Sequence, residues 1–471
     1  TRNEIMPGVF LNCVTTEKFK TGCLSISLLS QLCRETAAMN ALRPAALDVL
    51  LSTPLPRRGD EGYARFSLED AFAPDYGVNI NRMAFPAEAS QSYRCDIPQV
   101  STLMAAVSGD MLVRSAYMDR NMPQGLTVTT IAEAARLMPE TVERHYGMIA
   151  PLGRPEVALN TLLAQEGVMI HVARGAEIAK PVQIVNLLNS AMPMMAVRRV
   201  LIVAEEGASV QVLSCDHTSN NDTDYLASQV IEIYCGAGAR VAYYDLEESS
   251  ERTTRVSGLF VRQEQGSELT VNGSTLMGGT TRNDYEIDLA GERCSTSLAG
   301  MVIASGKQVT DNASLINHGC PHCHSDQLFK YVIDDEAKCA FEGAIKVDYN
   351  AKFTEAYQSN RNLLASKGAR MHTSPQLEIY CDEVKCSHGA TTGQLDESAL
   401  FYMRSRGIPE DEARTMLMQA FMMDVLDTVK MDGLRDRLRH LVERRLSGHK
   451  AVCADCDAAT DPLERTEGGR P

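Results

Sequence analysis

The sequence has little that would place it in a membrane or on a nucleic acid. Its apolar runs, such as VLIVA at 200–204, are far shorter than the roughly 20 residues a spanning helix needs. Basic residues are outnumbered, 46 against 61 acidic, for a net charge of −15. A general nucleic-acid binder carries a basic footprint for the phosphate backbone, and this balance argues against that class. The opening TRNEIMPGVF lacks the basic-then-apolar layout of a secretory signal. These absences lead us to expect a soluble, cytoplasmic protein. Enzyme signatures are missing too. No GxxxxGK[ST] loop is present to cradle phosphates, so ATP hydrolysis by this chain is not expected. There is no GxSxG nucleophile elbow and no HExxH or HxxEH zinc helix.

What is present is a long chain with dispersed thiols. At 471 residues it exceeds one ordinary core and suggests two or three structural units. Its 14 cysteines are too diluted for a disulfide scaffold, and most read as small hydrophobes in a reducing compartment. Only those beside histidines raise a question of function.

The texture of the chain changes along its length. Residues 1–53 hold a strand-like start and a helical stretch, RETAAMNALRPAALDVLL. The Pro-, Gly- and charge-rich STPLPRRGDEGYARF (52–66) reads as a boundary. Residues 54–160 turn helical, with Thr129 or Thr130 capping a helix that places Ile131, Ala134, Ala135 and Met138 on one face. From 161 to 393, alternating segments such as RRVLIVAEEGASVQVLSC and QVIEIYCGAGARVAYYDL are broken by Gly-bearing turns. Gly175, Gly207, Gly238, Gly266 and Gly291 recur at gaps of 32, 31, 28 and 25. No helical crossovers separate these strands, so a β-helix of stacked rungs fits better than a two-sheet sandwich. Residues 394–447 are helical again, with Pro409 at a first turn and an apolar stripe of Ala413, Met416, Leu417, Ala420 and Phe421. Met418, Met422 and Met423 widen that stripe, either for a deep packing face or for an adaptable docking surface. Residues 448–471 read as a disordered tail.

Two thiol–imidazole groups are candidate sites. NHGCPHCHSDQ (317–327) brings together His318, Cys320, His322, Cys323 and His324. Thiolate and imidazole are zinc or iron ligands, but a four-ligand site needs a second pair, which only Cys453 and Cys456 of the tail supply. A turn carrying incidental thiols is the plainer reading. EVKCSHGATTG (383–393) puts Cys386 and His388 two positions apart, hence on one face of a strand, at the end of the repeat. Taken alone, a packed Cys beside a surface His is the better reading of that pair.

The stretch SPQLEIYCDEVKCSHGATTGQLDESALFYMRSRGI (374–408) resembles the SufB/SufD family of iron–sulfur cluster assembly scaffolds, on its SufD side. The resemblance runs through CHSDQLFKYVI, NTLLAQEGVMIHVARGAEIAKPVQIVNLL, LTVTTIAEAARLMPETVERHYG and LPRRGDEGYARFSLEDAF, covering about 54–447. SufB-type chains carry Glu on both sides of the matching His, where this chain has Ser387 and Gly389. The resemblance implies a right-handed parallel β-helix between N- and C-terminal helical regions. It implies a SufB-like paralogue joined through the β-helix and a SufC-like ATPase bound by the C-terminal helices. It also implies a homodimer when alone, a transient iron–sulfur cluster or iron at the subunit interface, and reduced flavin in the complex. His388, with Cys386 beside it, matches the family's interface site. Phe401, Tyr402, Arg404, Arg406, Ile408, Met416 and Phe421 are the expected ATPase-subunit contacts. Cys320, Cys323, His322 and His324 remain a separate candidate metal cluster, which the resemblance does not supply. Residues 1–50 resemble the opening of a non-catalytic pitrilysin-like peptidase-family protein, without any zinc motif. The expected role is a non-enzymatic scaffold. The alternatives are a β-helix carbohydrate enzyme using acids such as Asp334 and Asp335, or a stand-alone metal-binding protein.

Overall fold

The computed structural model describes residues 37–74, 76 and 102–447. The start of the expected appended segment, residues 1–36, and the expected tail with Cys453 and Cys456 lie outside the described residues.

Nineteen strands form the body among the described residues. The first four are β1 (Leu103–Ser108), β2 (Met111–Arg114), β3 (Leu126–Thr130) and β4 (Val168–Val172). Next come β5 (Val182–Leu188), β6 (Met194–Ala204), β7 (Ser209–Thr218), β8 (Tyr225–Cys235), β9 (Arg240–Glu248) and β10 (Thr253–Gln263). β11 (Glu268–Thr275), β12 (Thr280–Leu289), β13 (Ser295–Ala304), β14 (Val309–His318) and β15 (His324–Ile333) follow. The last are β16 (Lys338–Val347), β17 (Glu355–Leu364), β18 (Arg370–Ile379) and β19 (Lys385–Gly393). From β5 onward odd strands pair with odd and even with even, all in parallel, so the chain winds as a β-helix with two faces. One sheet runs from β19 down to β5, β1 and β2, the other from β18 down to β4 and β3.

Alternation decides which side chains fill the space between the sheets. Ile170, Val212, Ile233, Val271, Ile287, Phe329 and Phe341 are buried there in one continuous core. The turns stack as well. The amides of Gly175, Gly207, Gly238 and Gly266 each bond a carbonyl of the next rung, at 2.8–2.9 Å, with φ between 65° and 69°. Gly291 breaks the expected series, because Arg293 (φ 57°) takes the left-handed position there. Gly291 is needed for another reason: a Cβ would lie 2.0 Å from the Gln265 amide nitrogen.

The region expected to be helical, 54–160, carries strands as well as helices. β1 pairs in parallel with β5 and closes antiparallel on β2, while β3 closes antiparallel on β4. They end the β-helix with pairings that the repeat does not contain. Among the described residues the helices before β4 are α1 (Ala37–Ser52), α2 (Leu68–Phe72), α3 (Ala116–Arg120), α4 (Ile131–Leu137), α5 (Pro139–His145) and α6 (Pro155–Leu163). Thr130 caps α4 by accepting from the Glu133 amide, as its sequence position predicts, but Pro139 starts a second helix instead of extending the first. α1 is not an appendage. Its Met39, Ala46 and Leu50 pack with Leu159 and Leu162, and the buried Arg43 donates to the Ala164 carbonyl at 2.6 Å. This helical group covers the outer face of the even sheet through Met195, Val197, Leu201 and Leu226.

Among the described residues three helices follow β19: α7 (Glu397–Ser405), α8 (Glu410–Leu426) and α9 (Asp432–Leu446). The buried face of α8 is Ala413, Met418, Met422, Val425 and Leu426, packed on the odd sheet with Leu434, Leu438 and Leu441 of α9. The expected stripe is therefore rotated. Met416 and Ala420 face out, and Met418 and Met422 serve the packing interior.

Candidate functional site at the open end of the β-helix

The two ends of the solenoid differ. At the start, β2 and β3 close the sheets, whereas β18 and β19 have no further strand among the described residues. Nine residues of β19 show the burial pattern of an uncovered edge, with only Cys386 partly buried. Pro375 stands on β18, a placement tolerated on an edge strand where an amide is dispensable.

Parallel register fixes where the candidate residues point. Cys386 lies opposite Ala356 and His388 opposite Gln358, both of which are buried inside the β-helix. Cys386 and His388 therefore top two interior columns, aimed along the axis out of the open end. Cys386 packs with Ile345, Val347, Ala351 and Cys381, and burial pushes its thiol upward from the ordinary range. His388 is exposed. Next along the same face, Thr392 accepts from the Asn362 amide at 3.2 Å, and Thr373 of β18 donates to Asn360 at 2.8 Å. The rung is thus ordered by side-chain hydrogen bonds, although no further strand covers it among the described residues. Cys381, five residues before Cys386, was not singled out from sequence despite its place in CDEVKC.

An aromatic corner flanks this end. Tyr349 and Tyr380 lie 5.2 Å apart, and His322 stacks on Phe353 at 4.9 Å. All three aromatics are exposed, as is Ile379. An exposed apolar group beside an unpaired strand edge marks an interaction surface.

The 318–324 group does not converge. His318 is fully buried, bonds Ser325 at 2.8 Å, and is pushed down to about 4 by burial. Cys323 also turns inward, and its thiol donates to the Gly291 carbonyl at 3.2 Å. A thiol–thiol hydrogen bond with Cys294 raises Cys323 and brings Cys294 down to about 7. Cys320 donates to the Ala290 carbonyl at 3.0 Å. His322 and His324 face out, His324 beside Tyr357. Among the described residues no group of three or more His, Cys, Asp or Glu is arranged to hold a metal ion. The expected ligand set Cys320, Cys323, His322 and His324 is thus divided between core and surface by the turn. Asp334 and Asp335 are turn residues: Asp335 accepts from the Gly306 amide and Asp334 from the Asp335 amide, each at 2.8 Å.

The expected partner contacts divide too. On α7 only Leu400 is buried, leaving Phe401 and Tyr402 outward at 73% and 58% exposure. Arg406 lies over the Tyr402 ring at 5.2 Å, and Arg404 pairs with Glu410 at 3.2 Å. Ile408, half-buried, follows α7, and Met416 is exposed on α8. Phe421 is not free. Its ring sits under the Lys330 ammonium at 4.8 Å, and its carbonyl accepts from the same group.

Fold and site together define a β-solenoid whose candidate side chains stand on a last rung that no further strand covers among the described residues. No helix among the described residues is long and apolar enough to cross a membrane. The chain belongs to the SufB/SufD family. Residues 186–421 match the core domain described as SUF system FeS cluster assembly, SufBD core domain, and residues 29–184 match the SufBD protein N-terminal region. That N-terminal match includes α1, consistent with its packing. An iron–sulfur cluster assembly SufBD family protein of Synechocystis is 28% identical over 411 residues, 86% of this chain and 90% of the relative. The iron–sulfur cluster assembly protein SufD of Escherichia coli is 27% identical over 409 residues, 85% and 92% of the two chains. The Bacillus subtilis SufD is 27% identical over 326 residues, 69% and 74%. The protein is an iron–sulfur cluster assembly component.

Proposed function

We propose that this chain is the SufD-like, non-catalytic subunit of an assembly complex, and that Cys386 and His388 are half of a shared site for iron–sulfur cargo. The observation that carries this reading is the uncovered last rung. Two side chains with affinity for iron top its interior columns, beside an unpaired edge and an exposed aromatic corner. Clusters are held by about four protein ligands, and one thiol and one imidazole leave room for two from elsewhere. A SufB-like paralogue pairing along β18 and β19 would supply them and cover the edge. Iron binding would displace the Cys386 proton that burial now favours, since the thiolate is the ligand. The exposed face of α7, with Phe401, Tyr402 and Arg404, together with Arg406 and Ile408 just past its end and Met416 of α8, would dock a SufC-like ATPase.

The test is co-expression with the SufB-like and SufC-like partners and anaerobic reconstitution of the purified complex. His388→Ala should lose most cluster formation while leaving the thermal midpoint of the isolated chain unchanged, because His388 is exposed. Full cluster assembly by the His388→Ala complex would refute the site.

A further inference from the structure

A second feature lies on the outer face of the even sheet. There Arg58, Arg65, Lys307, Lys338 and Arg370 line one hollow of about 580 Å³, with Val309 and a single carboxylate, Glu336. Counting five cations against Glu336 leaves an excess of four positive charges, in a chain whose net charge is −15. None of these five cations has an ion-pair partner among the described residues; the Arg370 guanidinium bonds only the Lys367 and Ala369 carbonyls, at 2.8 Å.

The arrangement is built by the fold. Lys338 and Arg370 are the first residues of β16 and β18 and stand directly opposite each other in register. Like charges placed opposite one another on adjacent strands destabilise a sheet. Lys307 comes from the turn before β14. Arg58 and Arg65 come from the loop after α1, the PRRGDEGYAR stretch that reads from sequence as a boundary. That loop is pinned. The amides of Arg65 and Phe66 donate to Asp311 at 2.7 and 3.0 Å, and Asp311 accepts from the buried Arg282 at 2.6 Å. Tyr63 bonds Glu156 at 3.0 Å, and Arg282 lies over its ring. The Arg65 Nε is buried and unbonded, a group that costs free energy until something accepts from it.

We propose that this hollow binds a compact phosphoryl anion of diphosphate size. The cations surround one space of small-molecule dimensions and do not run as a stripe, which selects a compact anion over an extended polyanion. Three of the five are arginines, whose planar forks match phosphate oxygens two at a time. Two phosphoryl groups, each bearing about one to two negative charges, balance the excess on the lining. The anion would also relieve the Lys338–Arg370 repulsion and satisfy Arg65. Arg370 stands on the edge strand β18, so the test is made on the isolated chain, where binding is read without partner or cluster.

The experiment is titration calorimetry of the full chain with inorganic pyrophosphate at low ionic strength, with ADP and citrate in parallel. Saturable binding at one site per chain is expected, weakened about tenfold or more in Lys338→Ala/Arg370→Ala. ADP binding tighter than pyrophosphate assigns a diphosphate attached to a larger molecule, and the reverse assigns a free one; both support the site. Citrate binding as tight as the better of these overturns the phosphoryl assignment. No saturable binding, or binding unchanged in the double variant, overturns the site. A second readout needs no ligand: Lys338→Gln should raise the thermal midpoint at low salt by removing an uncompensated like charge. A lowered midpoint there contradicts the repulsion argument.

Discussion

Phe353 is the residue whose conformation is hardest to justify within the isolated chain. It holds φ 60° in the turn column where earlier rungs place Gly175, Gly207, Gly238 and Gly266. A bulky residue in the left-handed region costs on the order of 1–3 kcal/mol. The residue is 55% exposed and its ring stacks on His322, so little burial offsets that cost. Phe353→Gly should therefore stabilise the isolated chain by about 1 kcal/mol, read from urea midpoints. It should also weaken pairing with the SufB-like partner if the aromatic corner belongs to that interface. A destabilised variant would show that the ring's contacts outweigh the backbone strain. At this scale the sequence was legible where strand alternation applies and opaque where it does not. Cys386 and His388 lie two apart on a strand, so their common face could be read directly. Cys320 to His324 straddle a corner, where consecutive side chains turn to core and surface by a geometry that spacing does not encode.

Elements were legible in proportion to their repetition. The glycine-marked turns and alternating strands announced the β-helix, whereas β1, β2 and β3 occur once, in antiparallel pairings at the start. Charged residues inside strands were not legible as interior, since in sequence they look like a solvated face. Arg198 pairs with Asp216 at 2.5 Å, and Arg255 reaches Asp216, Asp245 and Glu247 at 2.6–2.9 Å, all buried between the sheets. Three carboxylates face two guanidiniums, and burial pushes Glu247 up to about 8 and Asp245 upward as well. Between the ordinary carboxylate range and about 8, folded Glu247 holds a proton that the unfolded chain has released. Stability should therefore fall as pH rises through that window and level off above it. Glu247→Gln keeps a neutral, hydrogen-bonding side chain and should flatten the decline, measured as urea midpoints from about pH 5 to about pH 9. An unchanged slope in the variant would assign the decline to other groups.

At the scale of the whole molecule, the proposed ATPase-docking helix and the proposed cargo end are almost contiguous. Only residues 394–396 separate the last residue of β19 from the first of α7. Leu395 is buried in the C-terminal core, and Asp396 caps α7 by accepting from the Ser398 and Ala399 amides. The link is therefore short and anchored, able to pass a movement of α7 to the open rung without slack. The binding surfaces themselves are separate: Phe401 and Tyr402 project from α7, while the paralogue would lie along β18 and β19. Phe401→Ala/Tyr402→Ala should abolish pull-down of the SufC-like subunit and spare that of the SufB-like one. Lengthening the link with a flexible Gly-Ser segment after Gln394 should spare both pull-downs yet reduce ATP-dependent cluster formation, because flexible residues absorb displacement as disorder. Retained binding with lost assembly would place the coupling in these three residues. Retained assembly would mean that the ATPase acts on the open end through the partner subunit and not through this chain.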